Sequence, residues 1–354
     1  MENSNNKTTA KTVQVTVSAD LPVLQATDLQ LLAGTKAEDV AWYQDVTATD
    51  KADGDLSTAV TADYSAVNFK KEGTYPVVYT VTNSNNKTTA VTVTVTIIAD
   101  APALQAVNLD TLAGTKAGDI TWFQGVSATD KADGDISKDV KVDYSQVNFS
   151  KEGSYPVVYS VTNSNNKTTS KTVNMNITAE NPVLQATNLA TIAGTKPDEI
   201  PWFQDVSATD RADGDISTDV KVDYSAVNFK KEGSYPVVYT ITNSNNKTTT
   251  KTINITVTAE KPALQASNLD ILAGTKSGDI AWFQGISATD KADGDISKDV
   301  KVDYSQVNFS KEGSYPVVYS VTNSNNKNNK QKQSTMNNYR GEPSPSSDKP
   351  SDNR

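Results

Sequence analysis

The chain has 354 residues, 36% of them apolar, carries a net charge of -9, and contains neither Cys nor His. That balance opposes binding to nucleic acid or to an anionic lipid surface, since both demand clustered cations. It also excludes disulfides, thiolate metal ligands and the common His- or Cys-based catalytic pairs. No stretch is apolar for long enough to span a bilayer, so membrane insertion is not expected.

From the N-terminus, residues 1–7 lack the basic start and apolar run of a signal peptide. Residues 3–20 then repeat residues 83–100 almost position for position. The chain thus opens on the final strand of a module, residues 1–20, in which Val13, Val15 and Val17 alternate with Thr12, Gln14 and Thr16. Alone, this strand has nothing to bury against. Four further copies follow at a constant interval of 80 residues, marked by Asp50, Asp130, Asp210 and Asp290 and by Gly54, Gly134, Gly214 and Gly294. They are expected to be modules 21–100, 101–180, 181–260 and 261–327 of a tandem array. Each junction places a Pro (Pro22, Pro102, Pro182, Pro262) one residue into the new copy, with no Gly or Ser spacer, which predicts tight joints.

Within a copy, short runs rich in Val, Ile, Thr and Tyr are broken by turn residues every 8 to 12 positions, and no helical apolar period is present. Val46 and Ala48 lead into an Asp-Gly turn, residues 60–67 read as the next extended run, and Lys71-Glu72-Gly73 makes a further turn. A long hairpin closes the copy. Tyr75, Val77, Tyr79 and Val81 share its inner face, and Val91, Val93, Val95 and Ile97 face inward on the return strand. Pro76 donates no ladder hydrogen bond, so its strand must be bulged there or have that position on an unpaired edge. Asn83-Ser84-Asn85-Asn86-Lys87 supplies the turn, because Asn tolerates positive φ. Six or seven short strands ending in such a hairpin favour an all-β fold: a tandem array of Ig-like Greek-key β-sandwich modules, with a small barrel as the alternative.

The order Ala-Thr-Asp, Asp-Gly-Asp, Gly-x-Tyr-x-Val-x-Tyr-x-Val, Asn-x-Asn-Asn-x-Thr-Thr and a Val-rich closing strand resembles the group 3 bacterial Ig-like repeats of Gram-positive, internalin-like surface proteins, over residues 21–327. The resemblance implies non-enzymatic sandwiches, outside the cell or in its wall, that project a functional head from a wall-anchored C-terminus. The chain shows neither the secretion signal nor the Leu-Pro-x-Thr-Gly sorting motif that goes with such a location.

Module four departs from the pattern. After residue 327 the expected strand is replaced by Asn328-Asn329-Lys330-Gln331-Lys332-Gln333, so module four is expected to lack its last strand and residues 328–354 to form a disordered polar tail. The loss of about four inward apolar residues, at roughly 1.5 to 3 kcal/mol each, rivals a small domain's stability. Residues 8–18 copy the strand expected to be missing, which raises head-to-tail self-association by strand exchange between chains.

Two repeated features are candidate sites. Asp50, Asp53 and Asp55, with Asp130, Asp133 and Asp135, Asp210, Asp213 and Asp215, and Asp290, Asp293 and Asp295, could ligate calcium on a tight loop. The plainer reading is a turn whose carboxylates bind local backbone. Trp42, Trp122, Trp202 and Trp282, each followed by Tyr or Phe on what reads as a strand, could meet a glycan or peptide; the plainer reading caps the core. No cofactor beyond calcium is implied.

An enzyme is not expected, since the carboxylates that pair recur identically in four places. Two functions remain. One is a stalk, whose modules, each about 30 to 40 Å across, would reach on the order of 120 to 160 Å in line. The other is an adhesin that binds a host or cell-wall protein or glycan.

Overall fold

The structure, a computed structural model, describes residues 8–339. The chain divides into two compact units, Met1–Thr178 with modules one and two and Ala179–Arg354 with modules three and four. Module one contains β1 (Val23–Gln25), β2 (Leu29–Leu32), β3 (Thr47–Asp50), β4 (Gly54–Asp55), β5 (Thr61–Asp63), β6 (Gly73–Thr82) and β7 (Thr88–Ile98), with 3-10 turns at Ala37–Asp39 and Ser57–Ala59. The same seven strands recur as β8 to β14, β15 to β21 and β22 to β28 in the other modules. Among the described residues there is no α-helix.

Each module is a sandwich of two sheets, ordered β1-β3-β4 and β2-β7-β6-β5 in module one. All pairings are antiparallel except β2 with β7, which run parallel. Period-two alternation decides what lies between the sheets: Val77, Tyr79 and Val81 of β6 and Val93, Val95 and Ile97 of β7 are buried with Leu24, Ala48 and Val60, while Thr92 and Thr94 face out. Every such apolar side chain contributes roughly 1.5 to 3 kcal/mol.

Pro76 sits in unbroken register opposite Thr94. The Thr94 N–H leaves that pair to donate to Asp28 Oδ1 at 2.7 Å, so the pair is a non-hydrogen-bonded one and the Pro76 nitrogen points the other way. There β5, which reaches only Val78 to Thr80, provides no partner. The proline therefore occupies the one side of β6 where no donor is needed. The extended run expected over residues 60–67 is shorter than its pattern: β5 ends at Asp63, whose Oδ1 accepts from the Ser65 N–H and turns the chain.

Module four corrects the expectation of a missing strand. β28 (Asn328–Tyr339) pairs antiparallel with β27 (Gly313–Thr322) and parallel with β23 (Leu269–Leu272). It is one residue longer than its counterparts, and the register shifts between Val318 and Ser320. That bulge moves Met336, rather than residue 335, opposite Tyr315, where it is fully buried. Backbone pairing with β27 and the single large apolar residue Met336 thus rebuild a strand from a polar stretch. The position of Ile97 is taken by Asn338, 2% exposed, whose Oδ1 has no hydrogen-bond partner among the described residues. The remainder of the expected tail, residues 340–354, lies outside the described residues, as do residues 1–7 of the N-terminal segment. Residues 8–20 form no strand, and Val13, Val15 and Val17 are 75%, 84% and 89% exposed.

Candidate functional site

The Asp-Gly-Asp turn lies at the end of each module where the chain enters. In module two, Asp130 Oδ1 accepts from the N–H groups of Ala132 and Asp133 at 2.9 and 3.2 Å. Its Oδ2 accepts from Asn163 Nδ2 at 2.9 Å, and that amide also donates to the linker carbonyl of Asp100. Asp133 grips the hairpin turn, with Oδ2 on the Ser164 N–H and Oδ1 on the Ser164 hydroxyl, both at 2.8 Å. Asp135 Oδ1 accepts from the hydroxyl and N–H of Ser137. Gly134, at φ 79°, makes the turn that lets three carboxylates point to three different partners.

The same bonds recur around Asp50, Asp53 and Asp55, around Asp210, Asp213 and Asp215, and around Asp290, Asp293 and Asp295. The Asn83 amide, then the Ala52 N–H, hold the Asp50 carboxyl below its ordinary pKa. The Ser57 hydroxyl and N–H do so for Asp55, and the Ser164 N–H foremost for Asp133. Each carboxylate is committed to local donors, and among the described residues no three acidic side chains are arranged to hold a metal ion. The hydrogen bonds of the twelve aspartates tie the Asp-Gly-Asp turn to the neighbouring hairpin turn and to Ser57, Ser137, Ser217 and Ser297.

What the turn does build is a docking face. In the first unit, Asn165 of the module-two hairpin turn accepts the Glu72 N–H on Oδ1 at 2.8 Å and donates from Nδ2 to Lys70 O at 2.9 Å. Lys71 Nζ donates to Ser164 O at 2.8 Å, and Lys167 pairs with the Glu72 carboxylate at 3.0 Å. Ala132 is buried in the core cluster of module one, and Lys131 Nζ donates to Thr35 Oγ1. Gly34 lies so close to Lys131 O that a Cβ there would overlap it. The exit end of module one, built by residues 34–35 and 70–72, thus sits on the entry end of module two. In the second unit the joint of modules three and four repeats these contacts: Glu232 with Asn325, Asn325 with Lys230 O, Lys231 with Ser324 O, Lys327 with Glu232, Lys291 with Thr195, and Gly194 against Lys291 O.

The joint residues escaped the sequence reading because Asn165 and Lys167 sit in a polar turn where any Asn or Lys is unremarkable. The available signal was that Glu72, Asn85 and Lys87 recur unchanged in every copy, which turn geometry alone does not demand.

The aromatic pair occupies a turn, not the strand its sequence suggested. Trp42, 6% exposed, stacks on Tyr64 at 4.4 Å and meets the edge of Phe69, and its Nε1 donates to Ala37 O. Trp122, Trp202 and Trp282 stack in the same way on Tyr144, Tyr224 and Tyr304. Tyr79 Oη donates to Trp42 O at 2.6 Å. The indoles therefore close one end of the core, and the outward aromatic is the next residue. Tyr43, Phe123, Phe203 and Phe283 are each more than half exposed.

Comparison with known proteins matches residues 26–97, 121–177, 203–257 and 278–335 to the family model described as bacterial surface protein, Ig-like domain. The pesticidal crystal protein Cry22Aa of Bacillus thuringiensis is 32% identical over 278 residues, which are 78% of this chain and 38% of that protein. The chain thus spans well under half the length of this relative. Among solved structures, the protocadherin GammaB4 extracellular domain is similar at 12% identity and a TM-score of 0.31, covering 93% of this chain and 68% of that one. The M60 catalytic domain with CBM51 domains from Clostridium perfringens ZmpB is similar at 15% identity and a TM-score of 0.21, covering 85% and 37%. Both scores are too low to bear on function. Among the described residues no helix is long and apolar enough to cross a membrane.

Proposed function

The chain belongs to the family of Ig-like domains of bacterial surface proteins, and from that premise we propose that its modules form a non-enzymatic spacer in an extracellular protein, with length and stiffness as the product. The observation that supports this most directly is the joint. A flexible linker would leave each module end polar and free, whereas Asn165 and Asn325 are buried between modules with both ends of their amides bonded. Such a contact restrains bending, because every departure from it strips a buried amide of its partners.

The test is made on the full chain. Asn165→Ala together with Glu72→Ala should raise the rate of proteolysis between modules one and two about ten-fold and leave the melting of each module nearly unchanged. Equal cleavage in both forms would reject the spacer reading.

A second reading is favoured by the outward ring of Tyr43, Phe123, Phe203 and Phe283, repeated once per module. In an adhesin these rings would stack on a sugar or a peptide of the host or cell wall. Retention of the chain on cell-wall glycan or host matrix protein, lost when all four are changed to Ser, would favour that reading over the spacer.

A further inference from the structure

In every module the segment that enters and the strand that leaves run side by side in the same direction. In module one β2 pairs parallel with β7, Leu29 to Leu32 against Val95 to Ile98. Beyond this short ladder the two are tied along the length of the module. At the entry end Asp20 O accepts from Asn83 Nδ2 at 3.1 Å, and Pro22 O from the Thr89 hydroxyl at 2.6 Å. Midway, Asp28 Oδ1 accepts the Thr94 N–H at 2.7 Å. At the exit end the Ala33 N–H donates to Ile98 O at 2.8 Å.

The ties persist where the residues change. Module two sets β9 (Leu109–Leu112) parallel to β14 (Thr168–Thr178). There Asp100 O accepts from Asn163 Nδ2, Pro102 O from the Thr169 hydroxyl, Asn108 Oδ1 from the Asn174 N–H and Thr178 O from the Ala113 N–H. Module three repeats these bonds at Glu180, Pro182, Asn188 and Ala193. In module four, whose closing strand is polar and bulged, Asn329 Nδ2 replaces the threonine hydroxyl on Pro262 O, and Asn337 Nδ2 reaches Asp270 Oδ1. Asp28, Asn108 and Asn188 are exposed, so no apolar packing selects them; the bond to the closing strand does.

Direction decides what such ties can do. Tension on the chain draws the first residues of a module toward its entry end and the last toward its exit end. Two parallel strands that reach from one end to the other are then slid past each other lengthwise, and every tie is strained at once. A hairpin pulled at its open ends yields one bond at a time. Sliding gathers the loss of several hydrogen bonds, each worth about 1 kcal/mol net, into one step, and the rate of that step governs forced unfolding. We propose that each module is built to bear tension, with the incoming segment and the closing strand forming a clamp loaded in shear. The inference rests on the spacer reading for its use, but its test reads rupture inside a module, whereas that reading is tested at a joint.

Single-molecule stretching of the full chain, held by its two ends at constant load, tests it. Asn108→Ala removes the acceptor of the Asn174 N–H and Thr169→Val the donor to Pro102 O; each should speed one unfolding step about ten-fold. Tyr144→Ala removes the ring stacked on Trp122 at 4.3 Å, away from the clamp. It should lower the melting of module two at least as much, yet change that step by less than about two-fold. Direction is tested with the bonds in place. Since the chain has no cysteine, Ala101→Cys with Thr168→Cys gives two handles at the entry end of module two, where pulling peels the pair apart from Pro102 onward. The module should then open at a several-fold lower load than in the end-to-end pull. Equal loads in the two directions overturn the proposal. So do unchanged steps in Asn108→Ala and Thr169→Val, or a step that Tyr144→Ala speeds as much as they do.

Discussion

Asn163 donates from Nδ2 to Asp130 Oδ2 at 2.9 Å, and from the same nitrogen to Asp100 O at 3.0 Å. One buried amide thereby ties the hairpin turn, the Asp-Gly-Asp turn and the incoming linker, and its Oδ1 accepts from the N–H groups of Asn165 and Lys167. The face that docks on module one is held in shape from this point. Asn163→Ala should destabilise module two by about 2 to 4 kcal/mol, as expected for four lost bonds that leave some donors unpaired. Chemical denaturation of the full chain would show it as an early transition confined to one module, read by hydrogen exchange.

Acid should loosen all four entry ends together. The Ser57 hydroxyl and N–H hold the Asp55 carboxyl low, and Asp135, Asp215 and Asp295 are held in the same way by Ser137, Ser217 and Ser297. Because the folded carboxyls bind protons less readily than the unfolded ones, with an unfolded pKa of about 3.9, their contribution is present above that value. It is lost as the pH falls through the lower folded values. The urea midpoint should be flat from pH 7 to about 5 and drop below about 4. Asp135→Asn should make that drop shallower in module two.

Asn338→Ile should stabilise module four. The three carbonyls that Asn338 Nδ2 approaches, those of Asn308, Phe309 and Lys311, already accept from the Lys311 N–H, the Gly274 N–H and the Tyr315 hydroxyl. Removing the amide strands none of them and eliminates a buried, unpaired Oδ1. The gain should be about 1 to 3 kcal/mol, seen in calorimetry as an upward shift of one transition.

The aromatic pair should separate cleanly by position. Trp202→Ala removes an indole stacked at 4.6 Å on Tyr224 and should cost about 3 to 5 kcal/mol. Phe203→Ser, at a ring 55% exposed, should cost under about 1 kcal/mol. Paired denaturation curves of the two variants would check this, and equal losses would contradict the inward and outward assignment.

The architecture of a module was legible because alternation of Val and Thr over β6 and β7 admits one buried face, and because Asn at 86, 166, 246 and 326 is suited to the positive φ it adopts, 59° to 61°. The aromatic cap was half legible. Adjacency said that Trp42 and Tyr43 could not both turn inward on a strand, but in the turn they occupy it is tertiary stacking on Tyr64 that selects Trp42. The last strand of module four was misread because its inward pattern resumes one residue late, at Met336. A bulge can correct that offset only once β27 and β23 are present as templates.

By itself, then, the sequence determined the repeat, the sandwich, the hairpin and its turn, since these follow from local periodicity and backbone preference. The tertiary structure alone decided which polar residues meet across a joint. Lys71 reaches Ser164 over 93 positions, Asn165 reaches Lys70 over 95, and Lys131 reaches Thr35 over 96. No pattern within an element encodes such a pairing. It arises when two finished module ends, each shaped by its own turns, are brought face to face.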